Sequence, residues 1–240
     1  SQNSFNFNYR KNKINFFGSY NPNFFRGRNT MDINSVQIDA ADGLIKGYTD
    51  QQTRFKFGNF NQNLRLGLDL YANKKNIFGV VVSGFLMNGR PTPVTIANMT
   101  DVNRQLEARL ITKTNNDNNF RNFTTNLNWK HTFDSTGREL TADFDYVLYR
   151  NEMDMSLETD IYNSALQHTG QTQLRGHIPA NIDIYSFKTD YVKPIKDGRI
   201  EAGVKTSFVR NDNLVSYENK AGSGPWTADV IRSNHFIYEE

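Results

Sequence analysis

The sequence predicts an all-β fold: an antiparallel transmembrane-type β-barrel segment of about nine meandering strands. Three observations predict it. Apolar and polar residues alternate strictly over windows of about 10 residues. Lysine, aspartate and glutamate keep to one of the two faces so defined. Short and long connections alternate along the chain at a regular spacing.

The alternation comes first because it fixes the strands. Leu64, Leu66, Leu68 and Leu70 oppose Arg65, Gly67, Asp69 and Tyr71. Phe123, Thr125, Leu127, Trp129, His131 and Phe133 oppose Asn122, Thr124, Asn126, Asn128 and Lys130. Leu140, Ala142, Phe144, Tyr146 and Leu148 oppose Thr141, Asp143, Asp145, Val147 and Tyr149. Ile200, Ala202, Val204, Thr206 and Phe208 oppose Glu201, Gly203, Lys205, Ser207 and Val209. Successive side chains of a strand point to opposite faces, so each window has one apolar and one polar face.

Two environments accommodate that pattern. In a soluble sandwich or barrel the apolar face is the core. In a membrane barrel it meets lipid, and the polar face lines a wet or plugged lumen. Window length favours the membrane, since strands of about 9–11 residues cross a bilayer at a tilt while soluble strands cluster near 5–6. Charge placement favours it too, because a charge on the lipid face costs about 2–4 kcal/mol at mid-bilayer. Tyr71, Trp129, Phe133, Tyr149 and Phe208 lie near window ends, where interfacial girdles place aromatics. Ile77–Asn88 is apolar on both faces. It reads either as a wall strand whose inner face packs on a plug or as a buried strand of a soluble fold.

Composition agrees. The 240 residues include 18 Phe, 11 Tyr and 2 Trp, yet mean hydropathy is −0.67. Disorder explains the polarity but not the rings. A barrel explains both, since averaging hides its apolar face. No cysteine is present, which excludes disulfides, thiolate catalysis and cysteine metal sites. The net charge of +3 is too small and too mixed to point to nucleic acid. No apolar run of about 18 residues supplies a transmembrane helix.

The short connections are Lys11–Lys13, Asn73–Asn76, Asp134–Arg138 and Lys193–Gly198, centred near 12, 74, 136 and 196. Each carries turn chemistry from Asn, Asp, Gly or Pro. The long ones are Asp39–Thr53, Gly89–Asn119, Glu152–Ile182 and Asn211–Thr227. Short periplasmic turns and long extracellular loops are the outer-membrane barrel plan. The implied strands are 4–10, 14–38, 54–72, 77–88, 105–133, 139–152, 172–193, 199–211 and 228–240. Bacterial barrels have an even strand number. An odd count, with a strand at each end, is expected of a piece of a larger barrel, and residues 1–240 are taken as one partial barrel domain.

One stretch supports a resemblance. Asp183–Asn213 contains the strand Tyr185–Tyr191, the turn Lys193–Gly198, and Glu201-Ala202-Gly203-Val204-Lys205 followed by Asn211-Asp212-Asn213. Asn128–Asp134 with Leu140–Tyr149 looks like an earlier hairpin of the same kind, and Asn234–Glu239 like the start of a following strand. These segments resemble the outer membrane β-barrel family related to TonB-dependent receptors, over most of Ser4–Glu240. The resemblance implies a barrel of about 22 strands with an N-terminal plug, importing a large nutrient on energy relayed from the inner membrane. It implies the outer membrane of a Gram-negative bacterium. The sequence shows no plug, no energy-coupling box and no terminal aromatic residue. The expectation is therefore a partial wall whose partners are outer-membrane lipid, a plug domain, the remaining strands, TonB-type coupling through the plug, and a nutrient ligand.

Residues that could carry chemistry are few, and no enzyme is expected. His131, His168, His177 and His235 lack metal-ligand spacing. The carboxylate pairs Asp143/Asp145, Glu152/Asp154 and Glu158/Asp160 could in principle hold Ca²⁺ but read better as hydrated lumen or loop groups. There is no phosphate-binding glycine loop and no nucleophile elbow. The expected catalytic, cofactor and metal sites are therefore none. Arg65, Asp69, Lys130, Asp143, Lys188, Asp190, Glu201 and Lys205 are expected to pair across strands in the lumen or to line a solute path. Tyr48, Phe120, Tyr162 and Trp226 are loop aromatics that could meet a ligand, but one sequence does not single out substrate-binding residues. Two other readings stand beside transport: a soluble or surface β-module binding glycan, and a structural or adhesive barrel. Unpaired edge strands would favour an oligomer or closure of the sheet on itself.

Overall fold

The computed structural model describes residues 3–240 as one antiparallel sheet, with no helix among them. The strands are β1 (Phe5–Lys11), β2 (Ile14–Ile38), β3 (Ile45–Tyr71), β4 (Asn76–Gly89), β5 (Val94–Asp101), β6 (Leu106–Thr132), β7 (Glu139–Asn163), β8 (His168–Ile195), β9 (Gly198–Ala221), β10 (Thr227–Ala228) and β11 (Asn234–Glu239). Chain neighbours pair as a meander, apart from two places where two segments share one position in the wall.

The first is β4 and β5. Gly89 pairs with Asn59 and Val94 with Arg54, so the register of β4 on β3 continues into β5 unshifted. Pro91 and Pro93 separate them. Proline has no N–H to give a ladder. Here both prolines turn their carbonyls to β6, where Asn116 N and Thr114 N donate at 3.2 and 2.9 Å. Arg90 N and Thr92 N donate to β3 at Gly58 O and Lys56 O. The second place is β10 and β11, which both pair with β9 and are split by a turn at residues 229–233, closed by Ser233 N donating to Asp229 O. The described residues thus fill nine positions in the wall, as the alternation predicts.

The predicted loops are corrected. Most of Asp39–Thr53, Gly89–Asn119, Glu152–Ile182 and Asn211–Thr227 is strand. The true tips are residues 39–44, 102–105, 164–167 and 222–226. Runs rich in Asn, Thr, Gln and Asp look like loops because neither face is apolar. Their backbones still pair, held by polar cross-strand contacts. One row reads Thr53, Thr95, Thr112, Thr159 and Thr172 on five successive positions. Thr53 and Thr95 hydroxyls bond at 2.9 Å, as do Thr112 and Thr159. Strands β2, β3 and β6 to β9 have 24–28 residues, roughly 80–90 Å at about 3.3 Å per residue. A bilayer needs only about 9–11 of those residues.

Local chemistry builds both rims. On the short rim Asn12 takes φ +52 between β1 and β2, and Gly137 takes φ +91 between β6 and β7. Asn73 Oδ1 accepts from Lys75 N and Asn76 N, each at 2.9 Å. On the other rim the tips start on an acid or amide at positions 39, 101 and 163. Asp101 Oδ1 accepts from Asn103 N and Gln105 N, and Asn163 Oδ1 accepts from Ala165 N and Gln167 N. These are local Asx motifs that make a tight reversal.

No hydrophobic residue among those described is buried. Leu64, Leu68, Leu70, Phe78, Phe123, Leu127, Phe144, Tyr185, Phe187, Val204 and Phe208 are all exposed large apolar side chains. They share one face through the pairing registers, as Leu68–Val80–Leu127–Phe144–Phe187–Thr206 shows in a single row. A sandwich needs a second sheet against that face, and the described residues form only one.

Candidate functional site

The two faces of the wall offer different chemistry. On the polar face, one row runs Asn15, Asp69, Gly79, Asn128, Asp143, Lys188 and Lys205. Asn15 donates to Asp69 at 3.2 Å, and the Asn128 amide lies against Gly79, filling the space a Cβ there would need. Lys188 Nζ is 2.6 Å from Asp190, and Asn126 donates to Asp145 at 2.8 Å. Lys130 pairs with Glu139 at 2.7 Å, and Glu201 takes Arg199 at 2.6 Å. The predicted lumen charges therefore do sit together on one face. Their ion pairs run along a strand, as Lys188–Asp190 and Arg199–Glu201 do, or to a turn-side neighbour, as Lys130–Glu139 does, and not straight across the ladder.

The doubly apolar segment Ile77–Asn88 is β4, in the middle of the wall. Its inner residues start an apolar patch on the otherwise polar face. Phe85 meets Phe120 edge-on at 5.3 Å, and Phe120 meets Tyr149 at 4.9 Å. The tip of the Phe17 ring lies over Gly67 and leaves no room for a Cβ there. Phe120, predicted as a loop aromatic, is thus a wall residue of this patch. Sequence reasoning missed the cluster because its members are spread over β4, β6 and β7. The signal that could have found it is that Phe85, Phe120 and Tyr149 all take the polar parity of their strands.

The other predicted residues are scattered. Tyr48 carries the Arg104 guanidinium 3.5 Å above its ring, and Trp226 carries Arg175 at 4.4 Å. Tyr162 meets His168 at 5.4 Å. His177 Nδ1 lies 2.7 Å from Asp154, His235 Nε2 2.8 Å from Asp212, and His168 Nε2 3.3 Å from Asp160. His131 stays at its strand end, 2.8 Å from Asn76 and packed on Phe133. Of the carboxylate pairs, Glu158 accepts from Gln173, and Asp160 accepts from Gln171, which with His168 holds its pKa below the ordinary carboxylate value. No group of three or more His, Cys, Asp or Glu suited to a metal ion occurs among the described residues.

Beyond the apolar band, the apolar-face parity becomes charged. Asp117, Asp154, Arg175, His177 and Glu218 line a cleft of about 560 Å³ across β6 to β9. Arg90 closes one end by pairing with Asp117 at 3.2 Å. Arg175 holds Glu218, keeping that carboxyl below its ordinary range. The arrangement suits recognition of polar groups.

Residues 131–240, which hold β7 to β11, match the model of an outer membrane protein beta-barrel family. The outer-membrane β-barrel part of the resemblance is thus matched over residues 131–240. No curated protein and no solved structure matches the chain. The matched strands continue the same ladder and the same apolar face as β1 to β6. The apolar face is accordingly the lipid face, the polar face the lumen, and the chain is wall of a β-barrel in the bacterial outer membrane.

Proposed function

We propose that this wall serves a TonB-dependent-type receptor that imports a nutrient across the outer membrane. The observation that carries the proposal is the apolar patch of Phe85, Phe120 and Tyr149 on a lumen face that carries mainly Asn, Asp, Thr, Lys and Ser. A water-filled pore has no use for such a patch. A lumen holding a folded plug gives it something to pack against. The long extracellular hairpins support the same reading, because they carry amides, rings and paired charges well beyond the bilayer, where a nutrient would first be met. On this reading a plug and further strands complete the barrel, energy reaches it through the plug, and the chain itself does no catalysis.

The test is in cells. Deleting the full gene should abolish growth on one scarce nutrient, and loss of the inner-membrane energy-coupling system should abolish it equally. Uptake that survives loss of energy coupling would reject the receptor reading and leave a passive or structural barrel.

A further inference from the structure

On the lipid-facing parity, β2, β3 and the residue that follows β4 turn from apolar to basic within one step of the ladder. The stacked rings of Phe24 and Phe60, 4.2 Å apart, end the apolar band there. In the next row Arg26 stands opposite Gly58, which in turn accepts the Arg90 backbone N–H. Then come Arg28 opposite Lys56 and Thr30 opposite Arg54. The register from Ile14 to Gln37 has no bulge, so these side chains leave the same face as Phe16, Tyr20 and Phe24. All five cations are exposed. Among the described residues only Arg90 of the five has a carboxylate within ion-pair distance, Asp117. Asp32, the next acid on this face, accepts from Gln52. Because Gly58 has no side chain, Arg26, Arg28, Lys56 and Arg90 surround an open cleft of about 430 Å³.

We infer that this patch binds the phosphorylated headgroup of a glycolipid in the outer leaflet. Two features together select that occupant. Its height is that of headgroups, since the cations start where the aromatic row stops, and aromatic girdles mark the interface of a membrane barrel. Its charge is cationic with one neutralising acid, and guanidinium groups grip phosphate through paired N–H donors. The acyl chains then lie along Phe16, Tyr20, Leu64 and Leu66 below. In the rows of Arg26 and Arg28, β6 to β8 carry Asp117 and Asp154, with His177 against Asp154 and Arg175 against Glu218, so the unpaired cations of these rows, and with them the headgroup site, lie on the β2–β3 side of the wall.

The test uses the purified full chain in detergent micelles and three probes: bisphosphorylated lipid A, its dephosphorylated form, and inorganic phosphate. Wild-type protein should bind the bisphosphorylated lipid at least about tenfold more tightly than the dephosphorylated one, given several-fold per basic residue near an anionic surface. The triple variant R26Q/R28Q/K56Q should lose that preference. A control, K11Q/K74Q/K75Q, removes as many charges from the opposite rim and should keep it. Equal wild-type binding of the two lipids overturns the inference without any variant, so it is decided even if the triple variant fails to fold. Displacement of the lipid by low-millimolar phosphate overturns it as well, since the site would then take a free anion.

Discussion

Arg150 on β7 and Asp183 on β8 form an ion pair of 2.7 Å at the upper limit of the apolar band. The same guanidinium donates to the carbonyls of Tyr149 and Ile182 at 2.8 and 3.0 Å, and Tyr146 donates its hydroxyl to Asp183 at 2.9 Å. Asp183 has the lipid-facing parity, so this cluster is how an acid is kept at the membrane interface. Each of its groups has a partner, and hydrogen bonds to charged groups contribute about 1.5–3 kcal/mol. Asp183→Ala should therefore destabilise the barrel by roughly that amount. Urea unfolding in lipid vesicles would show it, and a change too small to resolve would mean the pair is fully solvated.

The face assignment makes a sharper prediction. Val82 points to lipid near mid-wall, and its neighbour Ser83 points to the lumen. Val82→Arg should cost about 2–4 kcal/mol, whereas Ser83→Glu, set opposite Arg65, should stay within about 0.5 kcal/mol. Folding assays in bilayers measure both. The reverse order would exchange lumen and lipid.

Asp101 ties the tip between β5 and β6 by accepting two backbone N–H groups. Asp101→Ala should speed hydrogen exchange at residues 102–105 while leaving exchange in the lower half of β6 unchanged. The scale is about 1 kcal/mol for each bond lost. Equal acceleration along the whole hairpin would show that the extracellular strands open as one unit with their tips.

The Arg175–Glu218 contact brings a pH dependence outside the bilayer. Arg175 holds the Glu218 carboxyl below its ordinary value of 4.5. A group whose folded pKa is lowered stabilises the fold fully above the ordinary value, and that contribution is lost as pH falls through the folded one. Arg175 also lies over Trp226. In a Trp129→Phe background, Trp226 fluorescence should hold steady from neutral pH down to about 4.5 and change only in stronger acid. Glu218→Gln should remove the acid-dependent change; if it persists, Asp229, whose carboxyl is also held low, becomes its source.

The ladder has two open sides among the described residues. β1 pairs with β2 alone and β11 with β9 alone. An edge of unpaired N–H and C=O groups recruits another strand. Residues 1–240 by themselves in detergent should accordingly run as oligomers in light scattering. A stable monodisperse monomer would mean that the edges close on each other.

Much of this wall is legible in the sequence. Leu64 to Leu70 and Phe123 to Phe133 reveal strands because one face meets lipid and the other water, and a period of two then appears residue by residue. The turns near 12, 74, 136 and 196 are visible because Asn, Asp and Gly supply the backbone angles they need. The extracellular halves were hidden for the opposite reason. Where Thr53 faces Thr95 and Thr112 faces Thr159, both faces are polar, so nothing alternates, and only pairing across the ladder shows that the backbone is strand. Pro91 and Pro93 hid the unity of β4 and β5, because proline marks a break in a sequence while a strand can lose those two donors and keep its register. The lumen cluster of Phe85, Phe120 and Tyr149 and the basic patch of Arg26, Arg28, Lys56 and Arg90 arise from register across several strands. A single strand carries at most two members of either, so tertiary structure alone brought them together.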